Sequence, residues 1–142
     1  MTIFFAIGYQ GRSMHGLSEE LVRHGVEVLI DVRERAWSNR PEFRKTALSQ
    51  KLAAAGIEYR HVRIAGNPFR PRGGGTIDRE QCLSKYQSYL ASNPEVLRTL
   101  LHILAKRSVL FCYESLAVHC HRGVLITELA RAYPTLGCVE IE

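Results

Sequence analysis

Apolar residues along this chain fall into two alternating patterns, and the alternation predicts the architecture. Short apolar runs occupy residues 3–7, 26–32 and 109–112, with further β-type runs at 57–62 and 137–141. Runs of that length, stopped by Gly or by charged residues, read as strands. Between them apolar positions recur at helical spacing: Leu17, Leu21 and Val22; Leu48 and Leu52; Cys82, Tyr86, Tyr89 and Leu90; Val96, Leu97, Leu100, Leu101 and Leu104; then Val124, Leu125, Leu129 and Ala132. Each helical stretch carries its own punctuation. Ser13 can cap the first and His24-Gly25 closes it, Gly56 ends the second, Asn93-Pro94 breaks the pattern over 77–107, and Pro134 stops the last. Strand and helix alternate from end to end. This predicts an α/β fold: a single three-layer domain spanning 1–142, with a mostly parallel sheet of about five strands and helices on both faces.

Two stretches escape both periods. Residues 34–44 hold the only tryptophan and set Arg35, Arg40 and Arg44 around Pro41, which suits a mobile or ligand-covering loop. Residues 65–76 interleave Gly66-Asn67-Pro68, Pro71 and Gly73-Gly74-Gly75 with Arg70 and Arg72. Backbone amides of such a run can reach an anion. The lysine-serine ending of a nucleotide P-loop is absent, so that specific reading fails.

Length and composition narrow the class. A chain of 142 residues with ordinary apolar and charged fractions can bury a core, which excludes a disordered or fibrous protein. No apolar run approaches a membrane span, and residues 1–7 lack the basic start and cleavage site of a signal peptide, so the expectation is a cytoplasmic protein with no membrane partner. The four cysteines, Cys82, Cys112, Cys120 and Cys138, follow no disulfide-scaffold spacing and are expected as thiols. Basic residues outnumber acidic ones, 19 to 14, and most are arginine. Arginine forks match phosphate and carboxylate, so the expected partner is an anionic small molecule or a nucleic acid.

The chemistry concentrates in residues 108–129. An apolar strand ends at Cys112, and Glu114, Cys120, His121 and Arg122 follow before a helix begins, so thiols, a carboxylate, an imidazole and a guanidinium meet at one strand-to-helix junction. In a parallel sheet all strand exits share one edge. That edge would also receive Tyr9 to Ser13, Asp31 with Arg33, and the loop after the third strand. Three chemistries could use it. On a phosphorylated or nucleic-acid substrate, Arg12, Arg33 and Arg122 would hold phosphate, with Tyr9, Ser13 and Arg40 as further contacts and Glu114 or Asp31 as general base. Alternatively Cys120, beside His121 and Arg122 and just before a helix, would be an activated thiolate. Finally, Cys112, Glu114, Cys120 and His121 include ligands suited to zinc or iron, but the spacing lacks a C-x-x-C pair and assigns no metal ligand by itself. A non-catalytic nucleotide- or nucleic-acid-binding module is the alternative from another class. Neither cofactor nor oligomeric state is legible.

The pattern Cys112-x-Glu114, five residues, Cys120-His121-Arg122 resembles the signature of the domain of unknown function 488 family, small α/β proteins of bacteria and archaea. The likeness extends over Ile7-Gly8-Tyr9, Gly11-Arg12-Ser13, the strand Leu29 to Arg33, Arg40-Pro41-x-Phe43, and Ala54-Ala55-Gly56-Ile57-x-Tyr59-x-His61, with Tyr9-Gln10 where the family usually has His-Ser. The resemblance implies the fold; the family has no settled activity to imply. Residues 29–33 are also similar to the Asp-x-Arg strand of rhodanese-like domains. There the reactive cysteine loop closes on an arginine several residues later, whereas Arg122 follows Cys120 almost at once.

Overall fold

The computed structural model describes residues 2–70 and 78–142. Five strands, β1 (Thr2–Gly8), β2 (Val28–Asp31), β3 (Glu58–His61), β4 (Ser108–Cys112) and β5 (Leu136–Ile141), form one sheet in the order β3-β2-β4-β1-β5. Every neighbouring pair runs parallel. Five helices connect them: α1 (Met14–Arg23), α2 (Lys45–Ala54), α3 (Arg79–Ser92), α4 (Glu95–Ile103) and α5 (His121–Ala132). The α/β fold expected from the alternation is present. Pro71, Arg72, the run Gly73-Gly74-Gly75 read as an anion loop, and the helix start expected at Ile77 lie outside the described residues.

Strand periodicity divides the core into two layers. Along β1, Phe4 and Ala6 point one way and Phe5 and Ile7 the other; along β4, Leu110 and Cys112 oppose Val109 and Phe111. The first set packs with Tyr86, Leu90, Val96, Leu100, Leu125 and Leu129 of α3, α4 and α5. The second packs with Leu17 and Leu21 of α1 and Leu48 and Leu52 of α2. Parity therefore puts Cys112 on the α5 side of the sheet.

The same division fixes where a ligand fits. The chain leaves β1 and β2 toward the α1 and α2 face, and leaves β3 and β4 toward the α3 to α5 face. Adjacent strands β2 and β4 thus feed loops that part to opposite faces. Crevices at such switch points, beyond the carboxyl ends of the strands, are where open α/β sheets hold ligands.

Three local expectations change. Val22 lies off the Leu17–Leu21 stripe and is 58% exposed. Cys82 is half-buried rather than core: its thiol donates to Phe69 O at 3.3 Å, and Asn67 Nδ2 reaches its sulfur at 3.5 Å. The aperiodic stretch 34–44 is pinned by buried Phe43, by Arg44 Nε donating to Ser38 O at 2.9 Å, and by the Arg44 guanidinium 4.8 Å from the Trp37 ring centre. Among the described residues no helix is long and apolar enough to cross a membrane.

Candidate functional site

Past the end of β2 the backbone turns so that Arg33 folds back on Asp31. Arg33 donates from Nε to Asp31 Oδ1 at 2.9 Å and from Nη2 to Oδ2 at 2.7 Å, and its own backbone N–H reaches Oδ1 at 3.1 Å. Tyr59 on β3 donates its hydroxyl to Oδ2 at 2.5 Å, and His61 Nε2 donates to Arg33 O at 2.8 Å. The Arg33 guanidinium lies over the Tyr9 and Phe111 rings, 5.5 and 5.1 Å from their centres. Burial by itself would weaken that charge, but the hydrogen bonds and charge of Asp31 more than offset it and hold Arg33 above the ordinary arginine range. Burial, then the Asp31 charge, pushes the Tyr59 phenol up, so it stays a donor.

This arrangement corrects the reading of Asp31 as a general base. The carboxylate is fully buried, both oxygens already accept hydrogen bonds, and it lines neither of the cavities described below. Asp31 positions Arg33.

At the end of β4 three ligand-type atoms converge. His121 Nδ1 lies 3.7 Å from Cys112 Sγ and 3.6 Å from Cys120 Sγ, and the three atoms fall within 4.8 Å of one another. His121 Nε2 faces Val32 O at 2.6 Å. A carbonyl only accepts, so Nε2 carries the proton and Nδ1 turns toward the two sulfurs. Glu114 closes the group: Oε2 lies 3.8 Å from Cys112 Sγ, and Oε1 pairs with Arg70 Nη2 at 3.2 Å.

Cys120 is the N-cap of α5, its sulfur accepting the Arg122 N–H at 3.4 Å, the position expected to yield a thiolate. The outcome is opposite. Burial, followed by the neighbouring Cys112 thiol, pushes the Cys120 thiol well above the usual cysteine range. With 2% of its surface exposed, it is no ready nucleophile.

Three of the proposed phosphate contacts are engaged elsewhere. Arg122 is fully buried and donates from Nη1 to Glu114 O at 2.8 Å and from Nη2 to Ser115 O at 3.4 Å, with Glu140 Oε2 at 3.5 Å. It ties down the turn after β4 from behind. Arg12 donates to Gly8 O and Ile141 O, both at 3.0 Å, joining the exits of β1 and β5. Ser13 caps α1 through Gly16 N at 2.9 Å. None of the three lines the cavities at the sheet edge.

Among the described residues two cavities adjoin beyond the ends of β2 and β4. A cleft of about 520 Å³ at the β2/β4 switch point is lined by Arg33, Arg35, Arg40 and Arg70, walled by Trp37 and Tyr113, and floored by Cys112 and His121. Tyr9, stacked between Phe43 and Phe111, also meets it. A second pocket of about 380 Å³ is lined by Glu114, Cys120, Arg79 and Cys82. His121, Asn67 and Arg70 belong to both. The structure thus brings Tyr9, Arg33, Arg40, Glu114, Cys120 and His121 to one composite edge, and leaves Asp31, Arg12, Ser13 and Arg122 out of it.

Asn67 and Tyr59 escaped the sequence-based site, while Arg70 and Trp37 lay in stretches read only as anion-reaching and ligand-covering loops. Asn67 reads as turn chemistry before Pro68, and Tyr59 reads as a strand residue. Only the clustering of arginines around Trp37 signalled that wall.

Residues 14–129 match a family model described as "Domain of unknown function DUF488". No curated protein matches the chain. One solved structure that resembles it, "Crystal structure of Putative phosphatase (DUF442)" from Shewanella putrefaciens CN-32, is 11% identical, with a TM-score of 0.43 over 91% of this chain and 69% of that one.

Proposed function

We propose, for a chain that belongs to the DUF488 family, that it is a small enzyme acting on a phosphorylated substrate of nucleotide or nucleic-acid type at the carboxyl edge of its sheet. One observation carries the reading: four arginines, two aromatic walls and a floor of Cys112 and His121 share a single cleft of about 520 Å³. That volume lies in the range of small-ligand sites. Arginine forks suit phosphate, and Trp37, a residue 49% exposed with Arg44 over one face of its ring, offers the other face for a base to stack on. A formal net charge of +5 favours an anionic partner at long range. With Asp31 committed to Arg33, the carboxylate we assign to move a proton is Glu114, which Arg70 holds beside Cys112 and His121 of the floor; Glu34 also lines the cleft.

Trp37 is the sole tryptophan, so its fluorescence reports ligand entry directly. Titration with inorganic phosphate, a nucleoside monophosphate and a short single-stranded oligonucleotide should quench it, least with phosphate alone. Replacing Arg35 and Arg40 together by Ala should weaken binding by about tenfold or more and flatten the salt dependence. Failure of all three ligands to bind below millimolar concentration ends the proposal. Arginine-dependent binding with no turnover of any bound ligand would instead favour the non-catalytic module, and turnover that survives Glu114→Gln would remove Glu114 as the proton carrier.

A further inference from the structure

We propose that Cys112, Cys120 and His121 bind one divalent transition-metal ion, zinc being the best fit, with a fourth coordination position open to the pocket beside Glu114. The inference stands on these three ligand atoms and does not depend on the anion reading of the cleft.

The geometry is the first support. Zinc holds thiolate sulfur at about 2.3 Å and imidazole nitrogen at about 2.0–2.1 Å in a tetrahedron, so a sulfur–nitrogen edge of that tetrahedron is about 3.6 Å and a sulfur–sulfur edge about 3.8 Å. His121 Nδ1 lies 3.6 Å from one sulfur and 3.7 Å from the other, and all three atoms are within 4.8 Å. The ligand heads already stand close to the corners of a coordination shell. The chain supplies them from two elements: Cys112 ends β4, while Cys120 and His121 begin α5.

The second support is the shell behind the ligands. Metal-binding histidines ordinarily donate their other ring nitrogen to a carbonyl or carboxylate, which fixes the tautomer and turns the lone pair inward. Val32 O does this for His121 at 2.6 Å. The Arg122 N–H reaches the Cys120 sulfur at 3.4 Å, and the Tyr86 ring packs edge-on against the imidazole, 5.2 Å between ring centres. Two thiolates also balance the charge of a divalent ion, leaving a neutral unit in a buried setting, with both thiol protons released to solvent.

The third is asymmetry. All three ligands are buried, yet Cys120 and His121 border the pocket that holds Glu114 and Arg70. Three protein ligands with one open position are the pattern of reactive rather than structural zinc. Glu114 Oε2, 3.8 Å from Cys112 Sγ, is placed to accept a hydrogen bond from a metal-bound water.

The test uses the full untagged chain, reduced with a phosphine and kept anaerobic, titrated with Co²⁺ and no nucleotide. The expected result is the intense visible spectrum of tetrahedral cobalt with thiolate charge-transfer bands, saturating at one equivalent and bleached by one equivalent of Zn²⁺. Cys112→Ser and His121→Gln should each weaken binding beyond the roughly 10–100-fold that loss of an outer-shell partner costs, and Cys138→Ser should leave it unchanged. A weak octahedral cobalt spectrum, or saturation well below one equivalent, overturns the proposal. So does an unaltered cobalt spectrum in folded Cys112→Ser. The wild-type titration decides even if a variant fails to fold. Metal binding without phosphate binding would sink only the cleft reading.

Discussion

Arg122 gives the sharpest test of how the edge is built, because an arginine at a helix start suggests anion binding while its geometry assigns it to support. Arg122→Met keeps a long apolar stem and removes the guanidinium. The main loss is the charged hydrogen bond from Nη1 to Glu114 O at 2.8 Å, worth about 1.5–3 kcal/mol. The contacts to Ser115 O and Glu140 Oε2, at 3.4 and 3.5 Å, are long and add little. Two features pull the other way. Arg122 Nε is buried with no hydrogen-bond partner among the described residues, a desolvation cost that Met does not carry. The Glu140 side chain is 30% exposed, so it can hydrate in part once its cation is gone, although its Oε1 is buried with no hydrogen-bond partner among the described residues. The sum is about 2–3 kcal/mol, below the 3–5 expected for breaking a fully enclosed ion pair.

With a urea slope of about 2 kcal/mol/M, the unfolding midpoint should fall by about 1–1.5 M. Circular dichroism and Trp37 fluorescence should move together. Where the variant is folded, its affinity for a phosphorylated ligand should stay within about threefold, less than 1 kcal/mol. A midpoint within about 0.3 M of wild type, combined with lost ligand binding, would refute this reasoning and return Arg122 to the substrate.

Three further outcomes follow from the geometry. A Cβ at Gly8 would lie 1.7 Å from Glu114 O, so Gly8→Ala must displace the turn that Arg122 holds; a loss of about 1–3 kcal/mol in urea is expected together with weaker ligand quenching of Trp37, and wild-type behaviour in both would contradict the packing. Tyr59→Phe deletes one of the hydrogen bonds to buried Asp31 but leaves the two-pronged Arg33 pair, so stability should drop by about 1.5–3 kcal/mol while Arg33-dependent binding persists; lost binding at unchanged stability would count against it. Burial, then the Glu140 charge, pushes the Cys138 thiol up to about 12. Since the thiolate reacts, alkylation of Cys138 at pH 8, followed by mass spectrometry, should run on the order of a thousandfold slower than in a free peptide and gain about tenfold per pH unit; a peptide-like rate at pH 8 would contradict it.

The element types were readable because local rules and the fold agree. Val109 to Phe111 form a continuous apolar run buried from both faces, and Leu48 with Leu52 makes a stripe that Gly56, at φ 76°, ends. The site was less legible for three physical reasons. Strand parity tells that Cys112 and Phe111 face opposite layers but not which layer α5 covers, so Cys112 could be taken for packing. Helix-terminus logic favours a Cys120 thiolate, and only the degree of burial reverses it. Arg12 and Arg122 have the right residue type for phosphate at the right edge, but backbone carbonyls brought close by tertiary packing claim their donors first. Strand order, which creates the β2/β4 crevice, has no local signature.

That order also bears on synthesis. The middle strand, β4, is the fourth to be made, yet it must enter between β1 and β2. A nascent polypeptide reaching only residue 107 therefore has β2 without its neighbour β4 and β1 without either neighbour, and the sheet cannot close until β4 has been made. Unpaired strand edges of that kind invite association, so carboxy-terminal truncations ahead of Ser108 should precipitate rather than persist as smaller folded products.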